Sequence, residues 1–168
     1  MTSDKKTPVA VVMGSDSDMA VMQGCIDTLK SFGIKPQVRV ISAHRTPQIA
    51  ADFADNALGN GIKVIIAAAG MAAHLAGSLA GRTRLPVIGV PIAANSGVGG
   101  LDALLSTVQM PPGIPVATVA IGKAGAKNAA ILAVQMLSLA DDEMAGKLDE
   151  FRAAQQQKVI EKDAALQE

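Results

Sequence analysis

Val38-Arg39-Val40-Ile41-Ser42-Ala43-His44-Arg45-Thr46-Pro47 passes from a strand, through a short loop, into the first turn of a helix. Gln37 to Ile41 is rich in β-branched residues and reads as a buried strand. Thr46 suits a helix N-cap. Pro47 suits the first helical position, where its missing N–H leaves no bond unmade. Strand, loop and helix in this order form the unit from which parallel α/β sheets are built. Between strand and helix stand a serine, a histidine and an arginine.

The same order recurs on both sides of this stretch. Val9 to Met13 is a strand that ends at Gly14. A helix follows from an N-cap at Ser17 or Asp18, runs to about Phe32 and stops at Gly33. The helix opened by Pro47 ends near Gly59 or Gly61. Lys63 to Ala68 is a third strand, and Met71 to Gly81 an alanine-rich helix. Pro86 precedes a fourth strand, Val87 to Val90. Pro91 to Gly100 is a loop, and Leu101 to Gln109 a short helix closed by Met110-Pro111-Pro112-Gly113. Val116 to Ala120 is a fifth strand, and Lys123-Ala124-Gly125 leads into a long helix, Ala126 to Leu139. Apolar strands alternating with helices predict a three-layer αβα fold, with a parallel sheet of about five strands and right-handed crossovers.

One domain is expected over residues 1–168, with a polar leader at 1–7 and a helical arm at 141–168. In the arm, Leu148, Phe151, Val159 and Ile160 are too widely spaced to bury much by themselves. That spacing suggests an arm lying on a neighbouring subunit.

Topology brings the chemistry together. In an open parallel sheet the loops that follow the strands share one edge, and ligands bind there. His44 follows the second strand and His74 the third, so the only two histidines of the chain are expected to meet in one crevice. Imidazole is the side chain whose ordinary pKa lies near neutrality. Arg45 beside His44 offers a planar fork to phosphate or carboxylate.

Gly14-Ser15-Asp16-Ser17-Asp18 is either a phosphate cradle at a helix N-terminus or a plain capping loop. In the first reading the serines donate to phosphate and an aspartate accepts from ribose hydroxyls. The stretch lacks the G-x-G-x-x-G dinucleotide fingerprint. Small residues from Ala69 to Ala73 leave backbone N–H groups free for a ligand. His74 there is either a second site histidine or one packed beneath its loop. Asn95 to Asp102 is a lid, a partner contact or a solvated loop. Asn128 faces the same edge or caps its helix.

Composition excludes several classes. Net charge is zero, and Trp and Tyr are absent, so neither a basic stripe nor a stacking platform for nucleic acid exists. A single cysteine, Cys25, rules out an intrachain disulfide and a cysteine zinc cage, and fits a reducing compartment. No apolar run reaches the roughly 18 residues of a membrane span. The leader lacks a signal-peptide core. Two histidines on separate loops, with no carboxylate cluster, fall short of a metal site. The visible kit is a phosphate cradle, a proton carrier and an arginine. It suits proton transfer on a phosphorylated small molecule without a cofactor.

Five stretches stand together in the order of one known family: Gly14 to Asp18, Ser42 to Pro47, Ala72-Ala73-His74-Leu75, Leu85 to Pro91, and Val108 to Val116. From about Val9 to Lys158 the chain resembles class I PurE proteins, N5-carboxyaminoimidazole ribonucleotide mutases of purine synthesis. The resemblance implies a flavodoxin-like or Rossmann-like αβα sheet. It also implies transfer of a carboxyl group from an exocyclic nitrogen to ring carbon C4 of aminoimidazole ribonucleotide, through release and recapture of CO2. It makes His44 the general acid/base. Ser15 and Arg45 then face the phosphate and Asp18 the ribose. Ser42, Ala43, Gly70, Ala73, His74 and Leu75 border the base and carboxylate. No metal and no cofactor are implied. A cytoplasmic homo-octamer with sites between subunits is, working beside an ATP-dependent synthase of the substrate.

The chain departs from the family pattern at Ala76, where proline is common, at Met71, where glycine is common, and in a slightly longer loop over 92–101. Three rivals remain. A sister class carboxylates aminoimidazole ribonucleotide directly and tends to carry lysine where Arg45 stands. A flavin-binding module would lack its stacking aromatics here. A non-catalytic paralogue would share the fold.

Overall fold

The computed structural model describes residues 7–94 and 98–167. The polar leader before Thr7 and the centre of the loop at Asn95, Ser96 and Gly97 lie outside the described residues. The elements run β1 (Val9–Met13), a single 3-10 turn (Asp16–Asp18), α1 (Met19–Ser31), β2 (Gln37–Val40) and α2 (Pro47–Ala57). They continue with β3 (Val64–Gly70), α3 (Leu75–Ala80), β4 (Val87–Ile92), α4 (Leu101–Val108), β5 (Ala117–Thr118), α5 (Gly122–Ser138) and α6 (Asp142–Ala164). Backbone contacts gather these into two compact units, one ending at Ala133 and one beginning at Val134.

In the first unit all five strands are parallel, in the order β2-β1-β3-β4-β5. This is the doubly wound order of flavodoxin-like sheets, and its direction reverses between β1 and β3. Alternate residues of each strand face opposite layers. Ala10, Val12, Ile65, Ala67 and Val87 join Phe53, Ala54 and Ala57 of α2 and Leu75 and Leu79 of α3 in one buried cluster. Val9, Val11, Val64 and Ile66 point the other way and are buried as well. On that side Met22, Cys25, Ile26 and Leu29 of α1 are buried, and Lys127 of α5 lies against Gly24 of α1.

The expected three-layer α/β architecture is present, with four local corrections. β2 is not buried: it is an edge strand with every residue exposed, Val40 at 52%. Its apolar character reflects β-propensity rather than burial. The third helix begins at Leu75 rather than Met71, because Met71 adopts a left-handed φ of 55° that no helix interior accepts. β5 shrinks to Ala117 and Thr118, since it pairs with β4 alone at the opposite edge. α5 starts at Gly122, before the expected Ala126. Gly125, read from the sequence as part of the lead-in to the helix, lies inside it and lets the backbone of Ala120 approach so closely that a Cβ would collide with its carbonyl oxygen. Asn128 lies inside α5 and caps nothing.

β4 runs two residues past its expected end, through Pro91, which pairs with Ala69 beyond the point where β5 stops. α1 ends as expected. Gly33 N–H bonds to Lys30 O and Ile34 N–H to Leu29 O, the double bond of a Schellman motif.

The second unit holds the end of α5 and the whole of α6. Asp141 caps α6, its carboxylate accepting from Met144 N–H. Of the α6 side chains only Leu148 is buried, while Val159 and Ile160 are 67% and 52% exposed. No described helix is long and apolar enough to cross a membrane.

Candidate active site

The site grows from the ends of β1, β2 and β3, where the sheet order reverses. Gly14 leaves β1 with its N–H on Ala68 O, 3.0 Å away. Ser15, not Ser17 or Asp18, makes the side-chain cap. Its hydroxyl accepts from Ser17 N–H while Asp18 Oδ2 accepts from Ser15 N–H at 3.2 Å, a reciprocal capping box. Asp18 is thereby drawn in to 8% exposure. Burial raises its carboxyl above the ordinary value, against the lowering effect of the Ser15 N–H.

The loop after β2 is tied by its own side chains. Thr46 Oγ1 accepts from Ser42 N–H at 3.0 Å and donates to Ser42 O at 2.9 Å, so this hydroxyl clamps the loop instead of capping α2. Ser42 Oγ accepts from Arg45 N–H at 3.1 Å and from Arg45 Nε at 3.4 Å. Arg45 Nη2 donates to Gly14 O at 3.0 Å, which carries the guanidinium across to the β1 loop.

The loop after β3 turns at Met71, and the turn sets the next three residues. Ala73 N–H bonds to Met71 O and His74 N–H to Ala72 O, both at 2.8 Å. His74 then precedes the six-residue helix α3. Its Nδ1 stands 2.8 Å from Nε2 of His44, with the rings edge-to-face and their centroids 5.0 Å apart. At that distance one proton lies between the two nitrogens.

These loops enclose a cavity of about 500 Å³. Ser15 and Asp18 line it from the β1 loop, and Ser42, Ala43, His44 and Arg45 from the β2 loop. Gly70, His74 and Leu75 line it from the β3 side. The expected residue that does not reach it is Ala73, which is 2% exposed and packed below the Met71 turn. Ser17, read from the sequence as one of the serines of its turn, and Met71, noted there as a departure from the family pattern, also line the cavity, as does Ala94, which was not singled out. Ala94 follows β4, so sheet topology alone places it on this edge. Met71 was expected to open a helix, whereas it forms the turn that brings it to the cavity.

Gly70 sits close beneath the loop after β4. A Cβ on it would come within 3.0 Å of Ile92 O. Among the described residues no three His, Cys, Asp or Glu side chains gather as metal ligands. Cys25 lies fully buried in α1, where burial pushes its thiol up to about 12, so it offers no thiolate. Chemically, the cavity presents hydroxyls and a guanidinium to an anion, a buried carboxylate to hydroxyl donors, and two joined imidazoles to a proton.

Comparison with known proteins points in one direction. The model of the AIR carboxylase family matches residues 8–158. An N5-carboxyaminoimidazole ribonucleotide mutase of Brucella melitensis is 53% identical over 154 residues, 92% of this chain and 94% of that protein. The mutase of Escherichia coli is 50% identical over 153 residues, 91% and 90% of the two chains. Among solved structures, Treponema denticola PurE superimposes with a TM-score of 0.85 at 32% identity, covering 95% of this chain and 98% of that one.

Proposed function

This chain belongs to the AIR carboxylase, or PurE, family, and from that membership we infer that it is an N5-carboxyaminoimidazole ribonucleotide mutase of de novo purine synthesis. The observation that carries the site assignment is the convergence of His44, Arg45 and Asp18 on one cavity at the sheet's switch point. Arg45 and Ser15 take the phosphate, and the Asp18 carboxylate accepts from the ribose hydroxyls. Ser42, Ala43, Gly70, His74 and Leu75 border the base and its carboxylate, while Ala73 supports that loop from beneath.

The reaction moves no net proton. The nitrogen–carboxylate bond breaks, its electron pair stays on nitrogen, and His44 supplies a proton to that nitrogen. The freed CO2 is held until ring carbon C4 attacks it. The proton lost from C4 then returns to His44. Small residues such as Ala43 and Gly70 leave room for CO2 without offering a nucleophile to trap it. A protonated nitrogen is the better leaving group, and a dry pocket favours loss of the carboxylate's charge.

The same reading makes the protein a cytoplasmic homo-octamer that receives its unstable substrate from an ATP-dependent synthase. It treats residues 1–168 as one PurE-like domain with a C-terminal arm. The exposed Val159 and Ile160 of α6 support a subunit contact for that arm. The substrate test is direct. Freshly made N5-carboxyaminoimidazole ribonucleotide should be converted, and unsubstituted aminoimidazole ribonucleotide with bicarbonate, free of ATP, should not. Fast turnover of the second mixture alone would identify a direct carboxylase.

A further inference from the structure

We propose that Met71 is the residue that retains CO2 in the site: a flexible apolar side chain on a fixed left-handed turn, which folds over the reacting end of the bound nucleotide and keeps CO2 beside C4 and water away from it. The proposal rests on the mutase reading and deepens it, because that reading needs CO2 held between two steps and names no residue that holds it.

The backbone gives the first argument. Among the described residues Met71 alone adopts a left-handed φ without being glycine, at 55°. Glycine takes that conformation freely, whereas a long side chain is strained in it. Such strain persists at functional sites, where a side chain serves the ligand rather than the fold. Burial does not offset it here, since Met71 is 52% exposed. The turn itself is firm. Gly70 pairs with Ile92 at the end of β3, and Ala73 N–H bonds to Met71 O at 2.8 Å.

The cavity gives the second. The β1 and β2 loops line it with hydroxyls, Asp18, His44 and Arg45. Apart from His74, the opposite wall is apolar: Ala69, Gly70, Met71, Ala72, Leu75 and Ala94. Two large apolar side chains stand among these described residues, and they differ in freedom. Leu75 is 2% exposed and fixed in the core, whereas Met71 is half exposed at the rim. Gly70 cannot take over, because a Cβ there would come within 3.0 Å of Ile92 O. Met71 also lies between Gly70 and His74, both assigned above to the base and its carboxylate. Methionine, unbranched and with a polarisable sulfur, adapts its shape to what it covers. CO2 has no charge, so a dry apolar cover holds it better than a polar one does.

The role has a chemical signature. The nitrogen–carboxylate bond breaks, its electron pair stays on nitrogen, and His44 supplies the proton. CO2 then has two exits. Attack by C4 forms the new carbon–carbon bond and returns the C4 proton to His44. Escape leaves aminoimidazole ribonucleotide and CO2 in solution, and water resupplies the proton that His44 gave. Met71 sets the partition between these exits.

The test uses N5-carboxyaminoimidazole ribonucleotide with a carbon-13 carboxyl group, in unlabelled bicarbonate, corrected for breakdown without enzyme. Wild type, Met71→Gly and Met71→Leu are compared by mass spectrometry at early times. The readout is aminoimidazole ribonucleotide released per labelled carboxyaminoimidazole ribonucleotide formed, a ratio that a partly unfolded sample does not change. Met71→Gly should raise it at least about fivefold, and Met71→Leu, which keeps an apolar cover, should return it near wild type. Met71→Gly should also melt no lower than wild type without ligand, because glycine relieves the turn. A wild-type ratio in Met71→Gly would overturn the proposal, as would a Leu variant that leaks as much as Gly.

Oxidation of Met71 by hydrogen peroxide, followed on its peptide, gives a readout without turnover. Bound carboxyaminoimidazole ribonucleotide should slow it at least about fivefold. An unchanged rate in protein saturated with that nucleotide would overturn the proposal. A wild type that neither forms carboxyaminoimidazole ribonucleotide nor binds it defeats the mutase reading itself, and the proposal falls with it.

Discussion

Asp18 shows what a single side chain costs the free protein. At 8% exposure, burial raises its carboxyl above the ordinary 3.8, opposed by the Ser15 N–H. A carboxyl raised in the folded state adds stability only while protonated. That contribution is complete below the unfolded value and is lost as pH rises through the folded one. At neutral pH the ionised Asp18 therefore weakens the unliganded fold. Asp18→Asn keeps an oxygen for the Ser15 N–H and removes the charge. The variant should melt higher than wild type at about pH 7, with the gap closing towards about pH 3.5, and it should bind the nucleotide less well. Thermal melts of both proteins without ligand at the two pH values check this, and a lower melting point at neutral pH contradicts it.

Much at this scale was legible beforehand. His44 and His74 each follow an apolar run, and parallel topology sends such loops to one edge. Ser15 was legible only as part of a serine- and aspartate-rich turn. Ser17 or Asp18 was expected as cap, and the hydrogen bonds of the folded turn give that place to Ser15. The burial of Ala73 followed from the left-handed Met71, which side-chain pattern does not reveal.

Among the elements, β4 and α4 depend on a missing side chain. Gly89 sits in β4 under α4, and a Cβ there would overlap the Thr107 methyl and stand 2.9 Å from Val116 Cγ1. Thr107 is itself fixed, 2% exposed with its hydroxyl donating to Ala103 O at 2.7 Å. Gly89→Ala should therefore lower stability by about 1–3 kcal/mol through overpacking, measurable as a shift of the denaturant midpoint. An unchanged midpoint would mean that α4 moves freely over the sheet.

Strand and helix order followed from alternation of apolar runs with capping signals, and all five strands lie where they were expected, within a few residues. Burial of β2 did not follow. Val38, Val40 and Ile41 look alike in sequence, but only Ile41 lies inside, its N–H on Met13 O at 2.8 Å. Whether a strand is central or at an edge is a property of the sheet order, and no local pattern encodes it. The start of α5 was likewise hidden, because Lys123-Ala124-Gly125 looks like a lead-in, whereas Gly125 lies inside the helix and allows close packing against Ala120.

For the whole molecule, the mutase reading makes a claim about assembly. A helix of 23 residues with one buried side chain gains little from its own unit. If α6 lies on a neighbouring subunit, a chain ending at Leu139 should lose native mass, and the full chain should run at about eight times 17.1 kDa by light scattering. A truncated protein of unchanged mass would remove the arm from the assembly. At this scale the family was legible because several motifs stand in register along the chain, which no single motif could establish. Their shared edge of the sheet then gives those motifs a common purpose.

The central claim is that His44 moves the proton that lets a carboxyl group pass from nitrogen to carbon. The most direct test follows formation of carboxyaminoimidazole ribonucleotide by its ultraviolet absorbance from fresh N5-carboxyaminoimidazole ribonucleotide, comparing wild type with His44→Asn. The account predicts rapid conversion by the wild type. It predicts a loss of roughly 10²–10⁴-fold in kcat for the variant, with the fold and nucleotide binding retained. Near wild-type turnover by a folded His44→Asn protein would contradict it.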